Sequence, residues 1–178
     1  PPEAIWAHPR FERYRELSDT VFAIFRDITP HVQPLSIDEA FLDVTPGPRG
    51  PDPVVLAESI RARVARLGLT CSVGVPSSKT VAKIASDHDK PDGLTVVFPG
   101  EEAAFLAPLS VRDMSGIGPR TADRLNGFGI HTLGDLGALD EATARQLLGA
   151  YGPELVRRCR GIDTRDVHDR DPVKSVSN

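Results

Sequence analysis

The sequence contains few cysteines and no long apolar run, which argues against a disulfide-rich protein and against a membrane-spanning one. Its two cysteines, Cys71 and Cys159, lie far apart with no metal-ligand spacing, so we expect free thiols in a reducing compartment. No stretch approaches the roughly 18 to 20 apolar residues of a membrane span. No charged and apolar leader opens the chain. We therefore expect a cytoplasmic protein that does not enter a membrane.

The sequence also lacks an excess of positive charge and an initiator methionine. Its net charge of −4 at pH 7 argues against a uniformly basic nucleic-acid binder, although binding through backbone amides and a few placed cations needs no such excess. Because the chain opens on Pro1-Pro2, we expect it to be part of something longer. Its 178 residues, 40% of them hydrophobic and 26% charged, suit one ordinary domain or a domain with a small satellite.

Periodicity and turn residues predict an α+β arrangement for the first part of the chain. Apolar residues spaced by three and four predict a helix over 11–28, ended by Pro30. Two short apolar runs, 32–37 and 40–45, predict a β-hairpin. The order continues with a helix over 54–67, a strand over 70–75, a helix from the N-cap segment Pro76-Ser77-Ser78 to His88, and a strand over 94–98.

This order is most of a ferredoxin-like sheet, but the strand that ordinarily precedes the first helix is missing. Without that strand we expect an unpaired edge or a gap in the sheet. A different, complete α+β topology is the alternative. After Pro108, short helices with glycine punctuation predict an all-helical unit over 108–166, following an α+β part over 1–107. Residues 167–178 are polar without a helical period, which predicts a linker.

Asp38 and Glu39 stand side by side in the otherwise apolar stretch PLSIDEAFLDVT, residues 34–45. Neighbours in a regular strand point to opposite faces, so the pair can share a metal only at the hairpin turn. Hard carboxylate oxygens at the end of a sheet suit Mg²⁺. The alternative is ordinary turn chemistry with solvated charge. Asp43, on the outgoing strand, is expected to face water.

Three lysines follow in the segment over residues 74–93. Lys79 and Lys83 are four residues apart and so share a helix face, and Lys90 comes just after that helix. Near a carboxylate-bound metal, three lysines can hold a triphosphate. An ordinary solvated lysine face is the alternative.

The segment MSGIGPRT, residues 114–121, predicts the turn of a helix-hairpin-helix. Pro119 suits the first position of the following helix. Successive N–H groups at such a helix start bind a phosphate without reading a base, and Arg120 or Thr121 can add a side-chain contact. A plain helical turn is the alternative.

Together, PLSIDEAFLDVT and the segments 71–97 and 114–136 closely resemble the Y-family DNA polymerases, in the DNA polymerase IV class of translesion enzymes. The resemblance implies an incomplete ferredoxin-like palm over 1–107, a helical thumb with the helix-hairpin-helix over 108–166, and the start of a little-finger linker over 167–178. It implies that Asp38 and Glu39 are catalytic metal ligands and that Lys90 contacts the triphosphate. The residues assigned to DNA binding are Lys79, Lys83, Gly116, Ile117, Gly118, Arg120 and Thr121.

The family's first strand with its Asp-x-Asp block, its fingers, its little finger and its sliding-clamp tail have no counterpart here. The resemblance implies nucleotidyl transfer from a dNTP to a primer 3′-hydroxyl with two Mg²⁺ ions. It also implies primer–template DNA as partner, a sliding clamp bound through an absent C-terminal region, and a monomer. With at least one bridging carboxylate missing, we expect the isolated chain to be inactive.

Two other functions are alternatives to a polymerase. A catalytically dead accessory DNA-binding subunit is disfavoured because Asp38, Glu39 and Lys90 are all present. Another palm-type enzyme, such as a nucleotidyl cyclase, is disfavoured because a cyclase needs no helix-hairpin-helix to grip a duplex.

Overall fold

The computed structural model describes residues 6–47 and 50–168. Its strands and helices follow the predicted order, and the α+β class is confirmed. The strands are β1 Val32–Pro34, β2 Ala40–Leu42, β3 Val73–Val75 and β4 Leu94–Val96. The helices are α1 Phe11–Ile28, α2 Pro53–Ala65, α3 Lys79–His88, α4 Glu102–Leu106, α5 Pro119–Gly127, α6 Leu133–Gly137, α7 Glu141–Leu148 and α8 Gly152–Cys159, with 3₁₀ turns at Val111–Asp113 and Gly149–Tyr151.

The chain divides into two compact units, one reaching Thr45 and the other running from Pro46 to Asp166. In the first unit, α1 turns its apolar stripe inward and buries Phe22 and Phe25, whose rings meet edge to face 5.5 Å apart. The helix ends at Ile28 because the next residue is extended and Pro30 cannot continue the hydrogen-bond ladder.

The β-hairpin of the first unit has the predicted antiparallel pairing. Val32 lies opposite Leu42, and Pro34 lies opposite Ala40. The hydroxyl of Thr29 donates to the carbonyl of Asp43 at 2.7 Å, which ties the end of α1 to the outgoing strand. The hairpin and helix therefore reinforce each other within a short stretch of chain.

The second unit contains a parallel pair, β3 with β4, in which Gly74 lies opposite Thr95. Within the described residues, the strands thus form two separate two-stranded sheets instead of one four-stranded sheet.

One hydrophobic core runs through the second unit, from α3 to α8. It contains Val81 and Ile84 of α3 together with residues of every later α-helix. The predicted palm–thumb boundary at 107/108 falls inside this shared core and stays a prediction. The largest fully buried side chains are Val81, Leu106, Val111, Met114, Leu125, Leu133, Leu136 and Val156.

The cysteines and the helix lengths add two findings. Cys71 is half-buried and Cys159 is buried, and both thiols are free. Across the part of the chain that the structure describes, no helix is both long and apolar enough to cross a bilayer. Most of the predicted linker, residues 169–178, lies outside the described residues.

Candidate active site and nucleic-acid interface

The hairpin turn of the first unit carries the predicted carboxylate pair. The N–H of Leu35 donates to the carbonyl of Glu39 at 2.8 Å and closes the turn. The hydroxyl of Ser18, on α1, donates to the carbonyl of Ile37 at 2.5 Å. The turn is therefore fixed both by its own backbone and by the neighbouring helix, with Asp38 inside it and Glu39 at its end.

The two carboxylates differ in exposure, since Asp38 is exposed and Glu39 is half-buried. Ser36 Oγ donates to Asp38 Oδ1 at 2.5 Å, which fixes that side chain over the turn. Between residues 6 and 168, leaving out 48 and 49, no group of three or more His, Cys, Asp or Glu side chains is arranged to hold a metal. The donor set fits part of an Mg²⁺ shell, because Mg²⁺ is held by one or two carboxylates plus water and substrate phosphates.

Asp43 lies outside this pair. Its side chain is exposed, as predicted, and accepts a hydrogen bond from the N–H of Thr45 at 2.9 Å. Hydrogen bonding from Thr45 lowers the pKa of Asp43. The side chain is thus engaged in local turn chemistry and is a suitable comparison residue for Asp38.

In the second unit, two of the three predicted lysines, Lys83 of α3 and Lys90 just after it, form ion pairs with the same carboxylate, that of Asp87. Asp87 Oδ2 lies 3.2 Å from Lys83 Nζ, and Asp87 Oδ1 lies 2.6 Å from Lys90 Nζ. Partial burial raises the pKa of Asp87, but the hydrogen bonds from Lys90 and Lys83 outweigh burial and hold it below its ordinary value. Asp87 was not predicted as a site residue, although its i,i+4 and i,i+3 spacing to the lysines was readable in the sequence.

Lys79 has a different environment from the other two lysines. Its side chain is 7% exposed, and Nζ donates to the carbonyl of Asp166 at 3.0 Å. An ammonium group enclosed in this way is directed at protein and not at solvent. In this conformation the Lys79 ammonium is occupied by the protein, and the DNA contact predicted for Lys79 stays a prediction.

The glycine hairpin has the predicted form, but its first helix is reduced to the 3₁₀ turn Val111–Asp113. Gly116 has φ 98°, a conformation that side chains rarely tolerate. Ile117 is buried in the core and its N–H donates to the carbonyl of Met114 at 3.0 Å. Gly118 is the N-cap residue of α5 and has no capping side chain.

The start of α5 therefore offers hydrogen-bond donors. The N–H groups of Arg120 and Thr121 lie in the first turn, where a helix has no acceptor of its own. Arg120 is exposed and Thr121 is half-buried. This arrangement suits a phosphate oxygen, because the donors and the positive end of the helix dipole coincide.

A cleft of about 740 Å³ lies between the end of α3 and the glycine hairpin. Asp87 and His88, in the last turn of α3, form one wall. Residues Arg112 to Gly118 form the opposite wall. Asp87, the carboxylate that pairs with Lys83 and Lys90, thus borders the same opening as the glycine hairpin.

Comparison with known proteins bears on what this arrangement does. Residues 1–87 match the impB/mucB/samB family and residues 99–130 match the IMS family HHH motif. A DNA polymerase IV from Halorhodospira halophila is 44% identical over 98% of this chain. The structure of a Y-family DNA polymerase chimera is 30% identical over 96% of this chain, with a TM-score of 0.85.

The chain belongs to the Y-family DNA polymerases.

This Y-family chain spans about half the length of the curated relatives it matches. It covers 50% of the Halorhodospira protein and 39% of a DNA polymerase IV from Oceanobacillus iheyensis that is 42% identical over 92% of this chain. It covers 51% of the chimera. A further similar structure is described as a DinB family error-prone DNA polymerase from Sulfolobus solfataricus. It is 30% identical with a TM-score of 0.84, and the match includes 93% of this chain and 51% of the Sulfolobus chain.

Proposed function

We propose that this chain is the part of a DNA polymerase that contributes two metal-binding carboxylates and a DNA-binding hairpin to template-directed synthesis across damaged DNA. The observation that carries the proposal is the hairpin turn with Asp38 and Glu39, in a chain whose relatives are named DNA polymerase IV. Related structures include one described as an insertion ternary complex of Dbh DNA polymerase. The reaction proposed is transfer of a nucleotide from a dNTP to a primer 3′-hydroxyl.

Asp38 and Glu39 are the residues of this chain that would hold Mg²⁺. Held there, Mg²⁺ would supply Lewis-acid chemistry for nucleotidyl transfer, lowering the pKa of the primer hydroxyl and offsetting negative charge on the pyrophosphate. The contacts from Ser36 and Ser18 keep the turn in place before substrate arrives, which reduces the reorganisation needed in the reaction. Two carboxylates in one turn are only part of a two-metal site, so the isolated chain is expected to be inactive.

Lys90 is proposed to neutralise the triphosphate. It is 55% exposed, so its ammonium is accessible to substrate. Asp87 holds it near Lys83 when no nucleotide is bound. Triphosphate oxygens can replace the Asp87 carboxylate, because a more highly charged anion competes well for a lysine in a partly exposed pair.

The glycine hairpin and Lys83 are proposed to hold DNA by its backbone. The hairpin set is Gly116, Ile117, Gly118, Arg120 and Thr121. Backbone N–H donors at the start of α5 and the guanidinium of Arg120 would contact phosphate without sequence preference. A polymerase that copies any template needs binding of this kind.

Primer–template DNA and dNTP are thus the proposed partners of this site. We further propose that the protein acts as a monomer in the cytoplasm and binds a sliding clamp through a region outside these residues.

Replacing the carboxylates in a full-length polymerase that carries this sequence tests the proposal. Asp38→Ala combined with Glu39→Ala should abolish primer extension with Mg²⁺, while the Kd for primer–template DNA changes less than about twofold, because the hairpin and lysines remain. Asp43→Ala is the matched control, as it removes an exposed carboxylate from the same β-hairpin, and it should extend primers normally. Extension by the double variant at the wild-type rate would remove Asp38 and Glu39 from the active site.

A further inference from the structure

The segment that follows α8 contains a buried carboxylate that the proposed reaction does not use. The chain turns at Gly161, where φ is 80°, and continues without regular structure to Asp166. Within this exit segment, residues 161–166, the side chain of Asp163 has no exposed surface. A carboxylate is rarely buried unless it is paired and hydrogen-bonded, so its partners show what holds the exit segment in place.

One hydrogen-bond partner of Asp163, Thr80, is distant in the sequence, and the other, Arg165, lies within the exit segment. Oδ2 accepts hydrogen bonds from the N–H and the hydroxyl of Thr80, at 3.0 and 2.7 Å. Arg165 donates through Nε to Oδ1 at 2.8 Å and through Nη2 to Oδ2 at 2.6 Å. The backbone N–H of Arg165 adds a further bond to Oδ1 at 3.2 Å. Both carboxylate oxygens are thus satisfied, and Thr80 belongs to the first turn of α3.

The local N-cap of α3 makes no such bond. Ser78 occupies the N-cap position, as the sequence predicts, but its side chain caps no N–H group. Its Oγ is buried without a hydrogen-bond partner. Asp163 instead accepts from the second N–H of the helix, which is the usual function of an N-cap side chain. The bond from Lys79 Nζ to the Asp166 carbonyl joins the same two segments a second time.

We propose that Asp163 is a positioning residue that caps α3 from a distant part of the chain, so that docking of the exit segment completes the helix that carries Lys83. The N–H of Ala82 donates to the carbonyl of Ser78 at 2.9 Å, so the hydrogen-bond ladder beneath Lys83 starts at the turn that Asp163 caps. The docking itself is independent of the proposed function. Only its effect on DNA binding rests on the role proposed for Lys83.

Hydrogen exchange tests the docking, and the chain offers a matched control. Asp140 accepts bonds from the N–H and the hydroxyl of Thr143, at 2.9 and 2.8 Å, as Asp163 does from Thr80. Asp140 is exposed and caps its own helix, α7. Asp163→Ala, which removes the acceptor, should speed exchange in the first turn of α3 at least tenfold and leave α5 and α6 within about threefold, whereas Asp140→Ala should affect only α7.

Two results would overturn the docking proposal. The first is unchanged exchange in α3. The second is an equal increase across α5 and α6, which would make Asp163 a residue of general structural importance. If Asp163→Ala does not fold, Thr80→Val decides. It removes the Thr80 hydroxyl, which donates to Asp163 and accepts from Arg165 Nη2 at 3.2 Å, and it keeps the bonds that Asp163 accepts from the Thr80 N–H and from Arg165. Thr80→Val should speed exchange at the same site by a smaller factor, and no change there would also overturn the proposal.

The positioning role has its own readout in a full-length polymerase that carries this sequence. Asp163→Ala should raise the Kd for primer–template DNA about fivefold, equivalent to about 1 kcal/mol, while kcat at saturating DNA stays within about twofold. Asp140→Ala should change neither constant. An unchanged Kd for Asp163→Ala would overturn the positioning role, and loss of kcat with unchanged Kd would do the same. The exchange result and the Asp38 and Glu39 variants remain separate tests, so failure of one proposal is not confused with failure of the other.

Discussion

Replacing Gly74 with alanine is expected to destabilise the second unit by forcing α3 away from β3. A Cβ atom on Gly74 would lie 2.6 Å from the carbonyl oxygen of Ala82, 2.8 Å from Ala85 Cβ and 2.8 Å from the N atom of Ser86. Ordinary contacts of a Cβ atom lie at 3.4–4 Å. Two of the three contacted atoms belong to helix backbone and none is at the end of a flexible side chain, so the whole helix must shift by roughly 1 Å.

That shift disturbs the core, because the same helix buries Val81 and Ile84 against the later helices. Overpacking of a tightly packed site typically costs about 1–3 kcal/mol, and we expect Gly74→Ala to fall in the upper half of this range. Urea unfolding followed by circular dichroism measures the loss, and the m-value should stay unchanged. The melting temperature should fall by about 2–4 °C per kcal/mol for a chain of this size.

Gly127→Ala is the control for this prediction. A Cβ atom on Gly127, the last residue of α5, meets nothing within 4 Å, and alanine is the better helix former. Gly127→Ala should therefore be neutral or slightly stabilising. Equal unfolding free energies for Gly74→Ala and Gly127→Ala would refute the inference that β3 and α3 are packed this closely.

Two further predictions concern titratable groups. Burial raises the pKa of Asp163, but bonds from Arg165 and Thr80 hold it well below the ordinary 3.8. The ionised Asp163 carboxylate therefore stabilises the fold fully above about pH 4, and this contribution is lost progressively as the pH falls below 3.8 and through the lowered pKa. The difference in unfolding free energy between the wild type and Asp163→Asn should shrink over that range. Burial raises the pKa of Cys159 to about 12, so a thiol reagent at pH 8 should modify half-buried Cys71 first and reach Cys159 only after unfolding; equal rates in the native protein would contradict this.

The elements that could be predicted from the sequence are those fixed by neighbouring residues. Helix α1 has the predicted bounds because its apolar period and Pro30 are local signals. The hairpin turn around Asp38 is likewise set by a few adjacent residues. The conformation of Gly116 follows from a Gly-x-Gly pattern that is also local.

The features that could not be predicted depend on residues far apart in the chain. Ser78 has the sequence of an N-cap, but Asp163 performs that function from 83 residues beyond Thr80. The burial of Lys79 follows from the same contact, since its partner is in the exit segment. Nothing in the spacing of the lysines distinguishes the buried one from the two that Asp87 holds at the surface.

The common core of α3 and the helices that follow it has a consequence for movement along DNA. Because α3 and the glycine hairpin pack against the same buried side chains, the distance between the Asp87 lysine cluster and the hairpin is set when the protein folds. With the binding roles proposed above, a backbone phosphate at the hairpin and a triphosphate at Lys90 would be held at a separation that the packing of this unit determines. Movement of the duplex by one nucleotide would then require the DNA to slide across the hairpin and α3 together, because the shared core opposes separate movement of either element.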